Sequence, residues 1–209
     1  MSDILVGLAP IFAVSRHRLG CDGKGITTLV TFQGCPLRCK YCINKECFDI
    51  QPFDNYYTPE RLLEEVNIDN LYFIATGGGV TFGGGEPLLR SEFIERFCQL
   101  APKEWSIYLE SSLNVPKEHL RRVMPFIDHY FIDIKDFNPD IYKRYTGRSI
   151  DRALANLSLL MTQPDAGDKV TVRVPHIPDF NTDDDVDRTI AQLQSLGVTL
   201  INEFDYIVE

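Results

Sequence analysis

Apolar and polar positions alternate in blocks along this chain. Short runs rich in β-branched and aromatic residues fall at Thr27–Phe32, Tyr72–Thr76, Ser106–Glu110, Tyr130–Ile134, Val170–Val174 and Leu200–Ile207, and such runs read as strands. Between them, apolar residues recur at helical spacing. Thr58-Pro59 is an N-cap followed by proline at the first helical position, ahead of Leu62, Leu63 and Val66. Ser91 is placed to cap a helix carrying Phe93, Ile94 and Phe97. Pro116 opens one carrying His119, Leu120 and Val123, and Asn138-Pro139 opens another that ends near Gly147. Leu154, Leu157 and Met161 form a further stripe. Val186, Ile190 and Leu193 form the last, closed by Gly197.

Strand–helix alternation implies a parallel sheet with right-handed crossovers. Six such units fit 209 residues, whereas a full eight-unit barrel needs roughly 250. The predicted fold is an α/β incomplete (βα)6 TIM-like barrel. An open doubly wound sheet shares the same local pattern. Both folds gather ligands at the carboxyl ends of the strands. No repeat, low-complexity tract or long linker marks a boundary, so residues 1–209 are expected to form one domain.

Composition narrows the classes. With 44% hydrophobic and 24% charged residues, disorder, collagen and a disulfide-stapled miniprotein are excluded. The 21 Lys+Arg against 30 Asp+Glu give a net charge of -9, which repels phosphate backbones. Arg121-Arg122 and Lys143-Arg144 are short and flanked by acids, so no basic patch is expected and nucleic acid is not an expected partner. No apolar stretch reaches the ~20 residues of a membrane span. The short run from Ile4 to Val14 is preceded by Asp3 where a signal peptide would be basic. A cytoplasmic protein is expected, in which six cysteines are not presumptive disulfides.

The cysteines are unevenly spread. Cys35, Cys39, Cys42 and Cys47 lie in the stretch GCPLRCKYCINKECF, while Cys21 and Cys98 stand alone. Inert buried thiols fit poorly amid Pro36, Arg38, Lys40 and Asn44, because free cysteine normally sits in apolar cores. Structural zinc, with Cys47 as fourth ligand, usually takes two ligand pairs well apart in sequence. A ferredoxin cluster wants a fourth cysteine and C-x2-C-x2-C spacing. The C-x3-C-x2-C spacing of Cys35, Cys39 and Cys42 instead suits a [4Fe–4S] cluster held by three thiolates, with one iron open to chelate a small molecule. Arg38 and Lys40 would offset its negative charge. Cys21, Cys47 and Cys98 are then spare.

At these residues the chain resembles the radical S-adenosylmethionine (SAM) superfamily, whose signature is C-x3-C-x2-C with an aromatic before the last cysteine, here Tyr41. Upstream DGKGITTLVTFQGCPLRC and downstream GGGVTFGGGEPLLRSEF resemble the glycyl radical enzyme activating enzymes. That resemblance covers nearly the whole chain. It implies that a [4Fe–4S] cluster cleaves SAM reductively to a 5′-deoxyadenosyl radical. The radical takes a glycine α-hydrogen from a partner glycyl radical enzyme, with flavodoxin or ferredoxin as electron donor. It places Gly84, Gly85 and Glu86 at the SAM amino group, Tyr41, Ser112, Asp133 and Lys135 among the SAM-binding groups, and Arg173 near SAM. It also sets a monovalent cation beside Glu110 and Asp133. His176 is not placed by it. The other radical SAM reading is an enzyme acting on a small molecule or peptide, resembling 7-carboxy-7-deazaguanine synthase.

Three features depart from the family. Asp22–Thr27 reads DGKGIT where DGPGIR is usual. Ile207 stands where a SAM-contacting histidine is expected, and the sequence stops at Glu209 where a covering tail is expected. No cysteine-bearing insertion separates Cys47 from Gly77, so a single cluster and no ferredoxin-like domain are expected.

Overall fold

The computed structural model describes residues 7–50 and 55–206. Six parallel strands carry the fold: β2 (Ile26–Phe32), β4 (Gly79–Gly84), β5 (Ser106–Ser111), β6 (His129–Asp133), β7 (Val170–His176) and β8 (Leu200–Asp205). Two more, β1 (Ala9–Leu19) and β3 (Tyr56–Tyr57), extend the sheet antiparallel beyond β2. The order is β3-β1-β2-β4-β5-β6-β7-β8. The parallel strands therefore follow chain order without the reversal that a doubly wound sheet requires. Among the described residues no ladder joins β8 to β3, so the sheet is an incomplete (βα)6 barrel.

Helices α1 (Pro59–Val66), α2 (Asn70–Thr76), α3 (Ser91–Leu100), α4 (Lys117–Val123), α5 (Pro139–Thr146), α6 (Asp151–Leu160), α7 (Ala166–Lys169) and α8 (Asp183–Ser195) connect the strands. Several caps are as read. Thr58 Oγ1 accepts from Arg61 N, and Asn138 Oδ1 from Asp140 N. Thr182 and Asp185 add a reciprocal capping box to α8.

The core lies between sheet and helices rather than inside the barrel. Val30, Phe82, Leu109, Ile132, Val172 and Val174 are buried on the outer, helix-facing side of the strands. The alternate positions Thr31, Glu110, Asp133, Arg173 and Asn202 point to the interior and line a cavity. The period-two alternation of Val172-Arg173-Val174 is this division written in sequence.

Two expectations are corrected, and one strand went unread. Tyr72–Thr76 is the end of α2, and the second parallel strand is Gly79–Gly84. A short apolar run does not by itself separate strand from helix. Here Gly77, at φ 67°, closes the helix in the left-handed conformation. The following glycines fit a strand because the neighbouring backbones leave no room: a Cβ on Gly79 would lie 1.9 Å from the Ser106 carbonyl oxygen. Ser91 does not cap α3; it is the first helical residue, and its hydroxyl meets His119 Nδ1 at 2.9 Å. Finally, Ala9–Leu19 is a strand with register shifts between Ile11 and Ala13 and between Ser15 and Arg18. These bulges break the two-residue period that would have announced it.

Candidate active site

The cysteine loop leaves the carboxyl end of β2 and is fastened on two sides. Gly34 N donates to Cys47 O at 2.8 Å, Cys35 N to Phe48 O at 3.2 Å, and Cys42 N to Cys39 O at 3.3 Å. Arg38 N and Lys40 N donate to the last carbonyls of α5, Thr146 O at 2.8 Å and Tyr145 O at 3.2 Å. Those helix-end acceptors would otherwise need water. The end of β4 closes the loop from the other side, with Gly85 N on Phe32 O at 2.9 Å and Glu86 N on Gly34 O at 2.8 Å. The glycines allow this approach: a Cβ on Gly85 would lie 2.5 Å from Gly34 O, and one on Gly84 2.1 Å from Thr31 Cγ2.

The result is a cavity of about 760 Å³ at the carboxyl ends of the strands. Cys35, Cys39 and Cys42 line it, together with Gly84, Gly85, Glu110, Ser112, Asp133, Lys135 and Arg173. Ten residues singled out from sequence thus meet in one place.

Burial pushes the Cys35 thiol up to about 12, with the charge of Glu86 adding to it. Burial likewise pushes Cys39 up to about 11, against the pull of Lys135, and raises Cys42. As bare thiols these groups hold their protons, so filling the site with a thiolate-bound group releases them. Among the described residues no three His, Cys, Asp or Glu side chains stand close enough to grip a single ion. The three thiols all line the same cavity.

Beside the thiols stands a charged lattice. Arg173 Nε donates to Asp133 Oδ1 at 2.8 Å and Nη1 to Glu110 Oε1 at 2.9 Å. Lys135 Nζ lies 3.6 Å from Asp133 Oδ2 and 5.5 Å from the Tyr206 ring centroid. Burial alone would raise Asp133, but Lys135 and Arg173 hold it below the usual carboxylate range. Burial would lower Lys135, yet Asp133 keeps it above the usual lysine value. Glu110 is raised by burial despite Arg173. An arginine inside an apolar strand is costly unless paired, and here its partners are the two carboxylates. Its guanidinium bonds to both of the side chains that the family resemblance assigns to a cation.

Two predicted residues are not on the cavity wall. Glu86 is buried behind it, accepting from Ser111 Oγ at 2.7 Å, Leu88 N at 3.2 Å, Ser112 Oγ at 2.7 Å and Ser112 N at 3.0 Å. Its carboxylate ties the end of β4 to the end of β5. Tyr41 packs with Tyr145 and Phe180, and its hydroxyl donates to Asp179 at 3.3 Å. Arg38 does not face the cavity either; it bonds Cys35 O at 2.6 Å and Asp49 at 2.8 Å. Lys135, not Arg38 or Lys40, is the cation on the cavity wall beside the thiols. Sequence reasoning passed over Arg18, Asp22, Asn202 and Tyr206, which also line the cavity. Asp22 and Tyr206 stood in stretches already singled out; Arg18 comes from the unrecognised β1, where it pairs with Asp22. Ile207 lies outside the described residues.

A model of the radical SAM superfamily matches residues 29–199. The chain belongs to that superfamily. Its curated relatives include the (2S)-3-sulfopropanediol dehydratase activating enzyme of Klebsiella oxytoca, 29% identical over 92% of this radical SAM chain and 77% of the relative. Another is the pyruvate formate-lyase 1-activating enzyme of Escherichia coli K12, 32% identical over 78% of this chain and 66% of that one. The chain thus spans about two thirds to three quarters of these proteins. Among solved structures, Streptococcus suis SuiB superposes with a TM-score of 0.65 over 86% of this chain and 38% of its own, at 11% identity. At that identity the likeness is one of fold. Among the described residues no helix is long and apolar enough to cross a membrane.

Proposed function

We propose that this radical SAM protein activates a glycyl radical enzyme. The observation that carries the reading is the one cavity that three loop thiols share with a Lys135–Asp133–Arg173–Glu110 lattice, in a chain whose curated relatives include activating enzymes. Cys35, Cys39 and Cys42 would hold a [4Fe–4S] cluster. When bound and reduced, such a cluster supplies the electron that splits SAM into methionine and a 5′-deoxyadenosyl radical, which takes the glycine α-hydrogen of a partner protein.

The chain's own residues bind and orient. Lys135 and Arg173 offer cations to the methionine carboxylate as charge-assisted partners. The Gly84–Gly85 backbone offers a side-chain-free edge to the ammonium. Glu86 keeps that edge in register with Ser111 and Ser112. Glu110 and Asp133 are the candidates for a monovalent cation once Arg173 turns to a ligand. No side-chain acid or base is required, so the protein's task is orientation and exclusion of water. The unclosed barrel leaves a lateral way in for a glycine-bearing loop. Residues 1–209 would act as one domain, with Cys21, Cys47 and Cys98 taking no part in binding the cluster.

The test is anaerobic. Reconstituted, dithionite-reduced protein given SAM is expected to release 5′-deoxyadenosine, and adding a glycyl radical enzyme is expected to give a glycyl radical signal by electron paramagnetic resonance. Release of 5′-deoxyadenosine without a radical on any such partner would point to a small molecule or peptide substrate instead.

A further inference from the structure

The structure assembles a basic face that is scattered in sequence. Arg38 and Lys40 of the cysteine loop, Lys143 and Arg144 of the last turn of α5, and Arg148 just beyond it are all exposed. They are brought together by Arg38 N on Thr146 O, Lys40 N on Tyr145 O, and Arg148 Nε on Pro36 O at 2.9 Å. Segments 36–45 and 141–150 hold three basic residues each and no Asp or Glu, in a chain where acids outnumber bases 30 to 21. Asp49 pairs with Arg38, Asp179 accepts from Tyr41, and the exposed Asp140 lies one helical turn before Lys143 and Arg144 on α5. None of the five basic residues lines the cavity.

This face lies directly behind the thiols. Arg38 Nη1 bonds the carbonyl of Cys35 at 2.6 Å, and Lys40 follows Cys39 in the chain. Cys39 packs against Tyr145, whose ring lies 5.0 Å from Phe180, and the Arg144 guanidinium sits 5.3 Å from Phe180. The cavity side must admit SAM and a protein loop together. An electron donor arriving there would compete with both, whereas one arriving at the basic face would stand one loop's thickness from the cysteines.

We propose that this face docks the electron donor, a small acidic one-electron carrier protein. The inference rests on the functional reading above. A chain of net charge -9 repels an acidic carrier over most of its surface, so a local basic patch sets both encounter rate and orientation.

The test uses a bacterial flavodoxin as the acidic carrier, and binding is read on the cluster-free chain as well as on the loaded enzyme. The double variant Lys40→Glu/Lys143→Glu is expected to weaken flavodoxin binding about tenfold at low salt. The difference should close near 0.5 M salt, where the screening length falls to about 4 Å. Release of 5′-deoxyadenosine per bound cluster should fall less when dithionite drives it than when reduced flavodoxin does. The Lys40→Arg/Lys143→Arg pair should bind like wild type. Lys117→Glu/Arg121→Glu makes the same charge change on α4, which packs on α3 and α6, and should alter binding less than about twofold. The proposal is overturned if the loop variant binds flavodoxin like wild type, if the α4 variant loses as much, or if wild type does not bind at low salt. Absence of 5′-deoxyadenosine from dithionite-reduced wild type would instead sink the functional reading. An unchanged circular dichroism spectrum and urea midpoint check that each variant folds.

Discussion

Replacing Gly85 by alanine inverts the usual effect of that substitution. Gly85 is absent from the positive-φ positions, and at such a site Gly→Ala ordinarily stabilises by about 0.4–1 kcal/mol through the unfolded chain. Here the new methyl would meet Gly34 O at 2.5 Å, Phe32 O at 2.9 Å and Cys47 O at 3.1 Å. All three are backbone atoms, so no side chain can swing aside. The end of β4 and the cysteine loop must part by more than half an ångström to reach ordinary contact. That strain costs about 1–3 kcal/mol. It also loosens the bonds from Gly85 N, Glu86 N and Gly34 N, each worth about 0.5–1.5 kcal/mol. The expected loss is about 3–5 kcal/mol, or roughly 6–20 °C in melting temperature for a domain of this size. Gly77→Ala is the control: it has φ 67° but nothing within 4 Å, so it should cost only about 1–2 kcal/mol. Both are read by urea unfolding of the reduced, cluster-free protein, with iron content measured after reconstitution. Gly85→Ala is expected to lose both stability and iron, since Gly34 precedes Cys35. A variant as stable as wild type and fully iron-loaded would refute the account of the loop as clamped by backbone contact.

Three further outcomes are expected. Cys39→Ala should fail to retain the about four irons of a reconstituted cluster, whereas Cys47→Ala should keep them, as Cys47 lies off the cavity wall. Arg173→Met leaves Glu110 and Asp133 without their shared guanidinium. The cost should be about 2–3 kcal/mol at pH 7, below the fully buried range because each partner keeps some exposure. It should shrink at pH 5.5, because Glu110, already raised, is relieved by protonation; the urea midpoints at the two pH values decide it. His176 lies 2.7 Å from Glu203 and 3.1 Å from Asp183, and Glu203 raises it above the ordinary value. Its stabilising contribution is therefore fully present below about pH 6.5 and lost as pH rises through the raised value. The stability difference between wild type and His176→Gln should shrink from pH 6 to pH 8; a constant difference would remove the charge from the explanation.

Much of the fold was legible because local chemistry and tertiary structure agree. Thr58 and Asn138 cap the helices they precede because a side-chain oxygen beside a free helical N–H needs no distant partner. Five of six predicted parallel strands lie in place because their outward positions, such as Val172 and Val174, bury against helices. Tyr72–Thr76 misled because its apolar residues serve a short helix, with only Phe73 buried. In the site, spacing along the chain announced the thiols, while Arg18 was hidden in a bulged strand.

The sequence by itself determined which residues are the candidates for the chemistry: the cysteine spacing, the glycines before Glu86, and the polar residues alternating along apolar strands. These are local patterns, and local patterns survive folding. Only the tertiary structure decided where they point. It turned Glu86 away from the cavity and onto Ser111 and Ser112, set Arg173 between two carboxylates from neighbouring strands, and put Lys135 beside thiols nearly a hundred residues upstream. It also built a basic face by joining Arg38 and Lys40 of the cysteine loop to Lys143-Arg144, a run read as flanked by acids in the linear sequence. Charge and hydrogen bonding act across a few ångströms of space, and only the folded chain defines which residues lie within that reach.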